Sequence, residues 1–252
     1  MIYLLLVIMI PALMQAQNAT DITMRSADAI DIANMEMTSD IFIRDGKGNV
    51  RERSITTWSK SFAEGDKMLI RFLAPADVKG TSLLIHDFEK QADQMWIYMP
   101  ALRKVRRILS TEKGKSFMGS EFSNADMSKP NVDEFSYKLL GTEVVDGKKC
   151  WKIESQGKTD AIQKENNYSR KISFIDQTDY LCHRVEYYDF SNKLHRVQTL
   201  DQYKKVSNGK FFAYRMIMEN VRNKRNSEMR VREMKANSTL PESAFSPNQL
   251  EP

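Results

Sequence analysis

Between Met35 and Ala236, apolar and polar residues exchange places at nearly every second position, in short runs cut by turns rich in glycine, asparagine and aspartate. A period of two is the mark of strands with one buried face, because successive side chains point to opposite sides of a sheet. In MTSDIFIRD, Ser39, Ile41 and Ile43 alternate against Asp40, Phe42 and Arg44, and Asp45-Gly46-Lys47-Gly48-Asn49 then turns the chain. VRERSITTWSKSF follows, then a turn at Glu64-Gly65-Asp66, then KMLIRFLAP, which Pro75 ends because proline has no N–H to give a ladder. The rhythm continues through TSLLIHDF, QMWIYMP and LRKVRRIL, and through FSYKLLGTEVV and KKCWKIES around Asp146-Gly147. YSRKISFID, DYLCHRVEYYDF, KLHRVQTLDQYKKV, KFFAYRMIMENV (after Ser207-Asn208-Gly209) and EMRVREMKA complete it.

Connections this short make hairpins, and they exclude the helical crossovers of a parallel sheet. The expected fold is mainly β (α+β), a single antiparallel sheet of about eleven strands. One helix is expected over residues 20–32, where Ile22, Ala29 and Ile30 recur near helical spacing and Thr20 or Asp21 can cap. No composition shift or repeat divides the chain, so residues 20–252 read as one domain. So many strands with so few helices must close into a barrel or curl over those helices, and a curled sheet leaves a concave apolar face for a ligand. Residues 109–131 alternate poorly and read as a loop or lid with a short helix; the tail from Ser238, with Pro241, Pro247 and Pro252, should run along the surface.

Residues 2–10, IYLLLVIMI, are an unbroken apolar run followed by Pro11 and small or polar residues. Nine apolar residues are too few to span a bilayer as a helix, and the pattern is that of a secretory leader over residues 1–19, cut near Ala16 or Ala19. No basic residue precedes the run; the alternative is a buried terminal strand or helix. No cysteine follows it, which argues against a lipid anchor, and no later run is long enough to cross a membrane as a helix. An exported protein, soluble once the leader is removed, is expected. Cys150 and Cys182 point away from the apolar phase of their runs and sit two strands apart if residues 168–175 pair between them, which is ~9.6 Å and too far for a disulfide.

Catalytic motifs are missing from this reading. His86, His183 and His195 have no helical metal-site spacing, so neither metal nor cofactor is expected. Ser120 in FMGSEF lacks the glycines of a nucleophile elbow, and Lys113-Gly114-Lys115-Ser116 lacks the first glycine of a phosphate loop. Glu121, Asp126, Asp133 and Glu134 read as solvated surface. The net charge of +5 is too mild to call for nucleic acid, but Arg103, Lys104, Arg106 and Arg107 gather on one strand. Forked guanidinium groups suit lipid phosphates or a membrane surface, whereas a soluble edge needs nothing more than charge. Twelve of the fifteen methionines lie beyond the leader, and thioethers fit both ordinary cores and cavities for variable apolar ligands. Met95, Trp96, Tyr98 and Met99 make one strand apolar on both faces, so it needs a cover on each.

PADVKG (75–80), WIYMPALRKVRRI (96–108) and SFMGSEFSNADM (116–127), flanked by DGKGNVRERSITTWSK and VEYYDFSNKLHRV, resemble the LolA-like outer membrane lipoprotein-sorting protein family. The resemblance runs from about residue 20 to 245; the family usually has Asp where this chain has Glu121. It implies an unclosed β-barrel with one to three helices plugging its concave side. It also implies carriage of a lipid or lipoprotein acyl chain through the periplasm toward the outer membrane, without catalysis. Partners would be a resistance-nodulation-division type permease or an outer membrane acceptor, with transient membrane-surface contact. Trp96, Tyr98, Arg106, Phe117 and Met118 are the expected ligand-binding residues at the cavity or its mouth. The alternative is an accessory module of an export permease whose cavity is filled by its own side chains.

Overall fold

The structure, a computed structural model, describes residues 10–32, 34–88, 91–129, 131–206, 209–236 and 240–251, with side chains from residue 19 onward. The leader run over residues 2–9 and the turn residues Ser207 and Asn208 lie outside the described residues.

Every alternating run forms a strand of its own, even the five residues of β6, so the described residues hold thirteen strands rather than about eleven. The first series is β1 (Met35–Arg44), β2 (Val50–Phe62), β3 (Gly65–Ala74), β4 (Ser82–Phe88), β5 (Gln94–Met99) and β6 (Lys104–Ile108). The second is β7 (Phe135–Val145), β8 (Lys148–Gly157), β9 (Arg170–Asp176), β10 (Cys182–Tyr188), β11 (Leu194–Lys205), β12 (Phe211–Asn220) and β13 (Arg225–Ala236). All pairings are antiparallel, in the order β6-β5-β4-β3-β2-β1-β13-β12-β11-β10-β9-β8-β7. Two meanders therefore meet at the centre, where Ile41 faces Met229 and Ile43 faces Ser227. The edges β6 and β7 are not paired with each other, and the sheet is not closed into a barrel.

Turn chemistry fixes the register. Asp146 and Gly147, both at positive φ (48° and 79°), make the two-residue hairpin turn between β7 and β8. At the β2–β3 turn, a Cβ on Gly65 would stand 2.1 Å from the Asp87 carbonyl oxygen, so only glycine lets β4 approach.

The sheet is curled. Laid flat, thirteen strands at ~4.8 Å spacing would set the edges roughly 58 Å apart. Yet Lys113 lies 3.3 Å from Asp93, next to β5, and also pairs with Glu165, just beyond β8. Ile108 of β6 and Phe135 of β7 likewise belong to one apolar cluster with Ile41, Ile55, Phe72, Met95, Met218 and Met229. The face carrying these residues is the inner, concave one.

Among the described residues, three α-helices accompany the sheet. α1 (Ile10–Ala29) starts ahead of the expected residue 20 and sets Ala19 and Ile22 against Ile153 and Ile175. α2 (Ser110–Lys113) lies in the β6–β7 connection. α3 (Asp160–Asn166), which the sequence reading missed, is capped by Thr159 and ends at Asn167 in the left-handed conformation. Among the described residues, no helix is long and apolar enough to cross a membrane. Cys150 and Cys182 are free.

Candidate functional site

The connection from β6 to β7 enters the concave face and fills it. Ser116 and Ser123 form an isolated antiparallel bridge, which makes residues 116–123 a small hairpin. Phe117 and Phe122 from this hairpin are 1% and 2% exposed, and Phe117 packs on Phe72 with ring centroids 5.7 Å apart. Met118 and Met127 pack against the same cluster. The cleft lined by Ser59, Met68, Ile85 and Met127 measures about 10 Å³, room for one water, whereas organic ligands occupy ~300–1,000 Å³. Residues 116–127 of the expected lid lie packed on the concave face as a plug.

Its tip is an unusual turn. Ser120 N–H bonds the Phe117 carbonyl, and the two central residues, Met118 and Gly119, have φ of 51° and 79°. This is the turn type of Asp146-Gly147, but a methionine at positive φ is strained where an aspartate is not. Polar groups projecting from the concave face hold it. Arg53 of β2 donates to the Met118 carbonyl, Arg225 of β13 donates to the Gly119 carbonyl at 3.2 Å, and the Glu121 N–H donates to Ser227 Oγ at 2.9 Å. Arg196 of β11 donates to the Glu121 carbonyl at 3.0 Å and to Asp126 Oδ2 at 2.9 Å, while lying 4.8 Å from the centroid of the Tyr187 ring. The Glu121 carboxylate takes Asn220 at 3.1 Å and lies 2.7 Å from Arg225. Its charge thus answers a built set of donors, where the sequence reading saw a solvated surface. Burial lowers the Arg53 pKa, and neighbouring Arg51 adds to that, so the carbonyl contact offsets a real desolvation cost.

The far end of the plug is tied down by Lys129, which pairs with Asp31 and Asp66 while its N–H donates to Asp87 Oδ2 at 2.9 Å. Burial, reinforced by Asp93, raises the Asp87 pKa to about 7.

The five residues expected to bind ligand fall in three places. Phe117 and Met118 are on the plug. Arg106 is exposed on edge strand β6 and pairs with Glu112 at 2.8 Å, which holds that carboxyl down at about 2. Trp96 and Tyr98 point to the opposite, outer face, where they pack with Leu69, Leu84, Phe245 and Leu250. β5 is indeed covered on both faces, by the plug inside and by the C-terminal tail outside. That tail is not a simple surface run: Phe245 and Leu250 are 2% and 1% exposed, Phe62 meets Phe245 edge-on at 5.8 Å, and His86 Nε2 meets the Phe245 carbonyl at 2.9 Å. Arg53, Arg196, Asn220, Arg225 and Ser227 were missed. Their one sequence signal was a polar residue in the apolar phase of its strand, as with Arg53 two before Ile55.

A family model described as an uncharacterized protein matches residues 64–252. A DUF1329 family protein from Desulfovibrio piger is 30% identical over 94% of this chain and 99% of its own, with a TM-score of 0.85. The chain belongs to the DUF1329 family. An outer membrane lipoprotein-sorting protein domain from Vibrio parahaemolyticus is 26% identical over 94% of this DUF1329 chain and 100% of its own, with a TM-score of 0.87. A LolA superfamily protein from Nitrosomonas europaea, 17% identical, shares the fold over 90% of this chain and 97% of its own at a TM-score of 0.72. The fold of this DUF1329 protein is LolA-like. Among curated proteins, none matches it.

Proposed function

We propose that this protein is a non-catalytic periplasmic carrier that takes a lipid or lipoprotein acyl chain onto its concave face when the plug withdraws. One observation carries the reading: the concave face is completed by Phe117 and Phe122 of a connection, and not by strand side chains alone. A connection can leave without breaking any strand pairing. The apolar trough it vacates, lined by Ile41, Ile55, Phe72, Met95 and Met229, would bury an acyl chain at ~25 cal/mol per Å² of apolar surface. The lipoprotein-sorting description of the Vibrio relative supports the same cargo class.

The leader over residues 1–19 belongs to this proposal. Ala19 is fully buried, so a cut near Ala16 keeps the packed part of α1 whole. Exposed Arg103, Lys104, Arg106 and Arg107 suit transient contact with an anionic membrane surface during handover to a permease or outer membrane acceptor. Ser120 Oγ is bonded to the Phe117 carbonyl at 2.7 Å, a structural role that supports a carrier over a hydrolase.

A second reading is favoured by the filled face itself: a permanently self-filled accessory module. Titration of delipidated protein with a fluorescent fatty acid separates the two. Saturable binding supports the carrier, and absence of binding sinks it.

A further inference from the structure

At the β9–β10 turn, in the second meander, three potential ligands converge. One ligand atom from each of Asp176, Asp179 and His183 lies within 4.8 Å of the others. Asp176 ends β9, Asp179 sits in the turn and His183 is on β10, a D-x2-D-x3-H spacing that a search for helical pairs passes over. Backbone donors orient both carboxylates. Asp176 Oδ1 accepts the Thr178 N–H at 2.7 Å, and Asp179 Oδ1 accepts the Leu181 N–H at 3.0 Å. In each case the other oxygen, Oδ2, turns toward the same point, where the Lys148 ammonium lies 3.0 Å from Asp176 and 3.6 Å from Asp179.

His183 is the independent sign of a ligand. Its side chain is 9% exposed, and its Nε2, 3.9 Å from Asp176 Oδ2, is buried without a hydrogen-bond partner. Such a nitrogen is costly unless something completes it. The ring also meets the Leu200 backbone as a hydrogen-bond partner and packs edge-on to Tyr203 at 5.5 Å. An imidazole that gives its other N–H to a carbonyl presents Nε2 as a free lone pair, the form in which histidine ligates metals. Burial first, and Lys148 second, lower the His183 pKa.

We propose that Asp176, Asp179 and His183 form a binding site for a divalent transition-metal ion of the zinc class, with Lys148 as an internal cation that the ion displaces. Ligands ~2.0 Å from a tetrahedral ion stand roughly 3.3 Å apart. Asp176 and His183, 3.9 Å apart, therefore need to close by about 0.6 Å, and Asp179 in the turn, within 4.8 Å of both, by up to about 1.5 Å. Lys148 is 41% exposed at its side chain and can swing outward, leaving two carboxylate charges to neutralise a dication. Water takes the fourth position. The imidazole sets the selectivity, because magnesium and calcium prefer all-oxygen ligands.

The test is calorimetric titration of tag-free, chelator-treated full-length protein with zinc chloride, and in parallel with calcium chloride. One zinc per chain and no calcium is expected. Asp179→Asn, a change on the turn surface, and His183→Ala should each weaken zinc at least tenfold. Lys148→Met should tighten it several-fold, a gain that a merely misfolded variant cannot show. No zinc binding, binding indifferent to Asp179→Asn, or affinity unchanged by Lys148→Met would each overturn the proposal. Circular dichroism of each variant establishes its folding.

Discussion

Arg196 and Asp126 lie on separate elements, strand β11 and the β6–β7 plug, yet their charged groups meet at 2.9 Å with 8% and 13% of their side chains exposed. They are seventy positions apart in sequence, and the contact exists only because the sheet curls. It fixes one side of the plug to the second meander, while Arg53 fixes the tip to the first.

Removing one member of such a pair strands a buried charge, which costs about 3–5 kcal/mol. Asp126→Ala should therefore lower stability by about that amount in urea. Adding Arg196→Met should recover part of the loss, because the stranded guanidinium is then gone. A double-mutant cycle on the unfolding midpoints reads the coupling directly.

Phe117→Ala separates stability from ligand access. Truncating a buried phenylalanine costs ~3–5 kcal/mol. The same change leaves an apolar hole on the concave face, so a fluorescent acyl probe should bind more tightly or faster than to the wild type. Loss of stability without any gain in probe binding would show that the hole is inaccessible to acyl chains.

The Asp87 carboxyl predicts a pH response. Its folded pKa, about 7, stands above the ordinary value of 3.8, so the folded state holds this proton more tightly than the unfolded chain does. The resulting stability is complete below about pH 4 and is lost as pH rises through 7, on the order of 4 kcal/mol. Asp87→Asn imitates the protonated form. It should match the wild type near pH 4 and be the more stable protein near pH 8, as measured by urea unfolding at both.

The C-terminal tail covers Trp96 and Tyr98 and shields Trp58 in the same cluster. Phe245→Ala should cost ~3 kcal/mol or more and shift tryptophan emission to the red. Acyl-probe binding should stay unchanged, because this cluster is on the face opposite the plug.

The strands were legible because burial on one face imposes a period of two, as in Ser39, Ile41 and Ile43, and turn residues such as Asp146-Gly147 mark the ends. The pairing of β1 with β13 was not, since nothing local in MTSDIFIRD or EMRVREMKA names its partner. Trp96 and Tyr98 read as cavity lining because QMWIYM is apolar on both faces. The second cover is supplied by Leu240, Phe245 and Leu250, three apolar residues spread through a proline-bearing tail without periodicity. The arginine clamp was hidden for a related reason. Arg53 and Arg196 break the alternation that identifies their strands, and only the curl of the sheet brings them to one turn of the plug.

Native mass spectrometry of gently purified protein tests the carrier account most directly. The account predicts a population carrying the added mass of one lipid or acyl chain, which delipidation removes. A single bare mass under conditions that preserve lipid on a known carrier would contradict it.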